Sequence, residues 1–469
     1  MESNNSKALK SGVWYTFSNF LTKSIGMITT PIFTRLLSQD EFGLYNNYTS
    51  WLIIITIFST LNLGSTFISA RFDFKDKFDE YILSVLSLSS LSSIIWLILL
   101  NIFRTFSVSF FGMDSIYINC MMVYLIFLPA IDMFQSRERY RYEYKISVLV
   151  SSIITVGTAL LSVLLVVVLK DRLKGRILGS IIPTIFLGLI IYLYLIKKGK
   201  TIKIKYWKYA LPICLPYIPH LLSLNILNSV DRIMITKICG AGDNALYSLA
   251  YTCASVISVL LVSLNTAYSP WLGEKLNLQS YSEVRNFSKV YIIIFSVLAF
   301  GIMLISPEII MILGGKSYME AKYVMPPVML GCVFQFLYTM FVNIEQFYKK
   351  TIGMAIASVS AAVLNYLLNY LFIPKYGYIA AAYTTLISFL WLLIMHMILV
   401  KLIGHENIYD YRFIILIISV MTFMTIAINI LYKANVIRYM ILGLYIFILV
   451  FVVYRYRNDI VRILKIKSK

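Results

Sequence analysis

Val148–Leu169 reads VLVSSIITVGTALLSVLLVVVL, with no charge anywhere in the run. Its apolar residues do not alternate with period two, which excludes a strand of a membrane barrel. Uncharged apolar runs of about 18 or more residues mark membrane-spanning helices. Lipid supplies no water to bond the backbone, so only helices and closed barrels can cross it. Comparable runs follow one another along 469 residues that are 59% hydrophobic and 14% charged, with a mean hydropathy of +0.79. A soluble chain of this composition would expose far too much apolar surface. The sequence predicts an all-α polytopic membrane protein of about fourteen spans. The first covers 12–37, the second 42–70, the seventh 207–237 and the ninth 288–313.

The chain opens on a polar MESNNSKALKS with no small-residue cleavage site, so its first span is expected to be retained. Cys120, Cys214, Cys239, Cys253 and Cys332 lie in or beside apolar runs, at no metal-binding spacing. His220, His396 and His405 form no ligand cluster, and neither a metal nor a cofactor is expected. Connecting loops are short, the most polar being IKKGKTIKIKYWK between spans six and seven. None is long enough to house a soluble catalytic domain. With the N-terminus inside, the cytoplasmic loops and tails collect 28 of the 42 lysines and arginines, against 12 on the other face. The positive-inside rule therefore places both termini in the cytoplasm. It also accounts for most of the +20 net charge without invoking nucleic acid.

A second signal is repetition. TTPIFTRLLSQDEFGLYNNY at Thr29–Tyr48 returns 202 positions later in RIMITKICGAGDNALYSLAY. Thr34-Arg35 becomes Thr236-Lys237, Glu41 becomes Asp243, and Leu44-Tyr45 becomes Leu246-Tyr247. Glu143 and Glu345, Gly175 and Gly377, and Ile177 and Ile379 keep the same offset. The expected organisation is residues 1–202 as one six-helix bundle, 203–404 as a second, and 405–469 as two further helices with a basic tail. An even number of spans per unit makes the repeats parallel, as in transporters that rock one bundle against the other. Arg35 and Lys237 become rim cations at the outer end of each bundle's first helix. They would face one another across a cleft or snorkel to headgroups.

Ionisable groups deep in a span cost about 2.5–3.5 kcal/mol on insertion scales and usually face a polar interior. Lys23 lies near the middle of span one, on one helical face with Thr16, Asn19, Thr30 and Thr34, an expected cavity lining. Span seven opens LPICLPYIPH; Pro212, Pro216 and Pro219 predict a kinked or interrupted helix. Beyond them Asn225, Asn228 and Arg232 share a face, with Asp231 adjacent. Asp231 and Arg232 would either neutralise each other or act separately, Arg232 on an anion and Asp231 on a coupling cation. Asp132 would couple an ion or pair with Arg137 or Arg139. Gln335, Tyr338 and Glu345 share a face of span ten, Glu345 being a further ion-coupling candidate. Asn365 and Asn369 suit interhelical bonding as well as transport. The sequence contains no phosphate-binding GxxxxGK[ST], no paired-carboxylate loop and no nucleophile elbow, so no enzyme is expected.

KSGVWYTFSNFLTKSIGMITTPIFTRLLSQDEFGLYN and NSVDRIMITKICGAGDNALYSLAY resemble the openings of the two halves of Wzx-type bacterial polysaccharide flippases. These belong to the multidrug/oligosaccharidyl-lipid/polysaccharide exporter superfamily. The resemblance implies two six-helix bundles in a V around a cationic cavity. It implies an undecaprenyl-diphosphate-linked oligosaccharide as substrate, a unit of O-antigen or capsule, with polymerase and chain-length proteins as partners. In this chain the diphosphate would fall to Lys23 and Arg232. A drug/cation antiporter of the same fold is the alternative, but it would want anionic residues deep in its cavity. A polymerase would want a long catalytic external loop, and a scaffold would need neither polar stripe nor repeat.

Overall fold

The computed structural model describes Thr22, residues 24–141 and residues 143–455. Every element among the described residues is helical. They are α1 (24–36), α2 (Gln39–Thr60), α3 (Phe67–Asp73), α4 (Phe78–Ile102), α5 (Arg104–Phe111), α6 (Ser115–Tyr140), α7 (Tyr144–Val168) and α8 (Arg172–Gly199). There follow α9 (Ile204–Cys214), α10 (Ile218–Ile238), α11 (Ala241–Asn277), α12 (Tyr281–Leu304) and α13 (Ser306–Gly314). The last are α14 (Met325–Phe347), α15 (Thr351–Tyr376), α16 (Tyr378–Leu402), α17 (Tyr411–Leu431) and α18 (Asn435–Arg455). Ten of these are long and apolar enough to cross a membrane among the described residues.

The charged turn between α1 and α2 is a capping box. Ser38 Oγ accepts from the Glu41 backbone amide at 3.2 Å, and Glu41 Oε2 accepts from the Ser38 amide at 2.7 Å. Two expected boundaries move. The second span stops at Thr60, where Leu61 and Asn62 turn left-handed (φ 55° and 46°) and hand over to a 3₁₀ turn and α3. Asn62 is a residue type that tolerates that conformation. The ninth span breaks after Leu304, and Ser306-Pro307 restarts it as α13, with proline in the first turn, where no amide partner is lost. Span seven is interrupted, as its prolines predict: α9 ends at Cys214, a 3₁₀ turn carries Pro216, and α10 begins at Ile218.

The interruption lets the two parts of span seven serve different neighbours. Tyr206, Ala210 and Cys214 of α9 are buried with Phe67, Tyr81 and Ile131 of the first half. Tyr206 Oη donates to Glu80 at 2.9 Å, Tyr209 Oη donates to Asp73 at 2.5 Å, and Trp207 Nε1 donates to the Ser84 carbonyl at 2.6 Å. α10 packs instead between α2 and α15. A second core runs through the other half around α14, flanked by α11, α12 and α16. α17 and α18 lean on α12, where Tyr432 Oη donates to the Met303 carbonyl at 2.7 Å and Tyr445 Oη to the Val297 carbonyl at 2.9 Å.

Candidate functional site: two facing cavities and a latched rim

The halves are joined at the end carrying the α1–α2 and α10–α11 turns. Gly43 of α2 lies so close to Ala241 that a Cβ there would sit 1.8 Å from the Ala241 carbonyl oxygen. Asn244 Nδ2 donates to the Gly43 carbonyl at 2.9 Å, and Gln39 Nε2 to the Gly242 carbonyl at 3.1 Å. Arg35 and Lys237 do not face each other. Arg35 Nη2 donates to the Ile312 carbonyl of α13 at 3.2 Å, and Lys237 Nζ to the Phe110 carbonyl of α5 at 2.6 Å. Donors and acceptors are each 202 positions apart, so this is one contact made twice with the halves exchanged.

Behind the latch lie two cavities. That of the first half measures about 310 Å³, lined by α1, α2, α6, α7 and α8 through Thr29, Tyr45, Tyr48, Thr49, Tyr124, Arg176, Ser180 and Thr184 among others. That of the second measures about 240 Å³, lined through Asn228, Tyr251, Ser255, Ser258, Gln335, Thr385 and Phe389 among others. Thr16, Asn19 and Lys23 lie outside the described residues. Thr30 is buried, and its hydroxyl donates back to the Gly26 carbonyl at 2.8 Å. Asn225 and Asn228 likewise donate to carbonyls one turn back, those of Leu221 and Leu224. Asn228 remains exposed in the second cavity.

Asp231 and Arg232 do not form a pair among the described residues. Consecutive helical residues point about 100° apart and do not face each other. Arg232 Nη1 donates to the Asn228 carbonyl at 2.8 Å, and its guanidinium lies 4.9 Å from the Tyr251 ring centroid. Asp231, 2% exposed, turns into the packing of α10, α11, α15 and α16. Its Oδ2 accepts from Tyr247 Oη at 2.5 Å and Thr385 Oγ1 at 2.6 Å, and its Oδ1 from Asn369 Nδ2 at 2.6 Å. Asn365 supports Asn369 at 3.2 Å and donates to Thr385 at 3.0 Å. The carboxylate is thus held entirely by neutral donors.

Glu345 is 1% exposed and 2.7 Å from His396 Nδ1; its Oε2 has no hydrogen-bond partner among the described residues. Tyr338 stacks on the His396 ring at 5.6 Å, and Gln335 sits one turn earlier on α14, on the cavity wall. Asp132 is exposed and senses Arg139. Arg137 is committed elsewhere: it forks onto Asp79 at 2.6 and 3.0 Å and also bonds Glu138. Sequence reading passed over Tyr247 and Thr385, which hold Asp231, and His396, which holds Glu345. It also passed over Arg176, which falls one turn inside α8 and reads as a loop cation. No stretch of sequence joins these partners; α11 and α16 bring them in from positions far along the chain. No group of three potential metal ligands occurs among the described residues.

A family model described as "Polysaccharide biosynthesis protein" matches residues 8–276, and one described as "MatE" matches 216–371. Comparison with curated proteins gives no match. Among solved structures, the chain is similar to "Lipid II flippase MurJ, inward closed conformation", with a TM-score of 0.73 and 17% identity over 96% of this chain and 100% of that one. It is similar to an "Inward-facing conformation of a multidrug resistance MATE family transporter of the MOP superfamily", with a TM-score of 0.65 and 14% identity over 82% and 95%. A third is a MOP superfamily transporter from Pyrococcus furiosus whose title reports a reversed polarity of its binding pocket, with a TM-score of 0.57 and 15% identity over 86% and 96%. These likenesses share the all-helical fold described above, and with the first family model covering more than half its length, the chain belongs to the polysaccharide biosynthesis protein family of the multidrug/oligosaccharidyl-lipid/polysaccharide exporter superfamily.

Proposed function

We propose that the protein is a flippase that carries undecaprenyl-diphosphate-linked oligosaccharide units from the inner to the outer leaflet of the bacterial cytoplasmic membrane. The product would feed O-antigen or capsule synthesis, handed on to polymerase and chain-length proteins. The family match and the likeness to a lipid II flippase support this reading. The observation that carries it is the reciprocal latch, Arg35 to Ile312 and Lys237 to Phe110, closing one rim over two polar cavities. In the proposed organisation residues 1–202 and 203–404 are parallel repeats, and 405–469 are appended, making fourteen spans with both termini cytoplasmic. Helix ends support it: α1 ends at 36 and α10 at 238, while Gln39 opens α2 and Ala241 opens α11.

The working cycle follows from that geometry. With the outer rim latched, the sugar enters from the inside while the prenyl chain stays in lipid. Lys23 and Arg232 engage the diphosphate. Opening the latch and rocking the halves exposes the sugar outside. Outward movement of a negative headgroup gains about 2.3 kcal/mol per charge per 100 mV of inside-negative potential. Asp231, a carboxylate without a cation, adds a coupling site for Na⁺ or H⁺; Glu345 with His396 is a second candidate, and Asp132 the weakest of the three.

The test is translocation in liposomes. A labelled undecaprenyl-diphosphate oligosaccharide is reconstituted with the protein under an inside-negative potential, and sugar accessibility to an external enzyme is followed. Movement by wild type and its loss in Lys23→Ala supports both flippase and site. Movement unaffected by Lys23→Ala leaves the flippase and removes the site. No movement of any lipid-linked sugar, with proton-coupled efflux of organic cations, would establish the antiporter.

A further inference from the structure

Arg176 is a cation inside a membrane protein, and among the described residues no acid pairs with it. It sits one turn from the start of α8, about 6 Å along the helix from the end of the bundle where the latch closes. Its guanidinium carbon lies 3.7 Å from the Phe33 ring centroid and 4.2 Å from that of Tyr45. Aromatic rings over a guanidinium favour it electrostatically and immobilise its plane. They leave the N–H edge free, and that edge is the part that pairs with a planar carboxylate through two parallel bonds. Arg176 is the one charged side chain among the described residues lining this cavity. Its neighbours there are hydroxyls: Thr49, Tyr124, Ser180 and Thr184. Tyr48 also lines the cavity; it is 2% exposed, and its buried Oη has no hydrogen-bond partner among the described residues. A buried hydroxyl without a partner costs about 1–3 kcal/mol, which a ligand group at that point would recover.

From these features we infer that the first-half cavity is a subsite for an acidic sugar, and that Arg176 reads a carboxylate on the oligosaccharide itself. This rests on the flippase reading and names its substrate class: a repeat unit containing a hexuronate or similar sugar acid. Among the described lining residues one guanidinium matches one carboxylate in charge. The hydroxyl-lined wall suits sugar hydroxyls, and the rings of Tyr45 and Phe33 offer apolar surface to a pyranose face.

The decisive experiment is direct binding to the full chain in lipid nanodiscs. Three soluble probes are compared: a hexuronate-containing trisaccharide, the same trisaccharide with its carboxyl reduced to the alcohol, and inorganic pyrophosphate. Wild type should bind the acid about tenfold or more tightly than the alcohol, a difference of about 1.4 kcal/mol. Pyrophosphate should not displace it. Arg176→Gln should erase the preference, and Arg176→Lys should restore part of it, keeping the charge without the fork. Tyr48→Phe separates ligand contact from folding. It should weaken the acid probe several-fold without lowering thermal stability, since it removes an unsatisfied group. Equal binding of acid and alcohol, no binding of the acid, or displacement by pyrophosphate would each overturn the inference. So would a Tyr48→Phe protein that binds normally. Liposome translocation reads the other claim separately. Transport of neutral and acidic units at equal rates keeps the flippase and discards this subsite. Acid-selective binding without translocation does the reverse.

Discussion

Gly26, Thr49, Leu52, Ser180 and Thr184 line the cavity of the first half; Asn228, Tyr251, Ala254, Ala382 and Leu386, each 202 positions further on, line that of the second. The two walls are built on corresponding positions, yet among the described lining residues only the first carries a charge. Thr29 in the first cavity corresponds to Asp231, and Arg176 corresponds to Tyr378. The first half keeps a cation flanked by rings and open to a ligand. The second keeps a carboxylate withdrawn from the cavity into three neutral hydrogen bonds. In the proposed repeat organisation, equivalent places thus carry different side-chain chemistry. In the proposed cycle the first half reads the acidic sugar, while the second lends Arg232 to the diphosphate and holds a coupling cation at Asp231.

If that division is right, disturbing Asp231 should have the largest effect. Asp231→Ala strands Tyr247, Thr385 and Asn369 at about 1–3 kcal/mol each, partly relieved by rearrangement. A loss of about 3 kcal/mol in unfolding free energy is expected, read by denaturant titration in detergent. Asp231→Asn keeps the shape and should lose much less stability while abolishing any Na⁺ or pH dependence of transport. Retention of that dependence would transfer the coupling role to Glu345 and His396.

The next effect concerns what holds the halves together. Gly43→Ala forces a methyl into the Ala241 backbone, which cannot yield as a side-chain tip can. Overpacking of this kind costs about 1–3 kcal/mol. Cross-linking of paired cysteines across the rim should fall several-fold, and undiminished cross-linking would show that the contact yields without opening. Smaller still are the reciprocal bonds. Arg35→Ala and Lys237→Ala should each weaken rim closure by about 1 kcal/mol, and by similar amounts, because each removes one copy of the same contact. Clearly unequal effects in the same assay would mean that the exchange symmetry of the latch is only geometric.

The smallest effect belongs to the appended helices, which have no counterpart in the first half. Arg438 of α18 forks onto Glu308, just before the latch helix turn of α13, at 2.6 and 2.7 Å. That guanidinium, helped by Tyr439, holds the Glu308 carboxyl down at about 2, below its ordinary 4.5. A depressed carboxyl contributes stability above its unfolded value and loses it as pH falls through the folded one. The contribution should therefore be full above about pH 4.5 and fade towards pH 2. Partial exposure and screening keep it to about 1 kcal/mol or less. Glu308→Gln should flatten the melting temperature over that range and leave cargo binding in the first half untouched.

What the sequence determined by itself is whatever follows from one segment at a time. Val148–Leu169 declares a helix in lipid by its length and lack of charge. Three prolines interrupt span seven because each removes a backbone donor wherever the helix is placed. The 202-residue spacing survives because it is a property of the text. Tertiary structure decided whatever needed two distant segments. Asp231 and Arg232 are neighbours in sequence, but helical rotation sends one into the packing of α11, α15 and α16 and the other towards Tyr251. Glu345 finds His396, and α9 joins the first half's core, through contacts between segments well separated along the chain. Arg176 counts as a loop cation until α1 and α2 bring Phe33 and Tyr45 to its faces. A residue's type fixes what chemistry it offers, and only packing fixes what is left unpaired to offer it to.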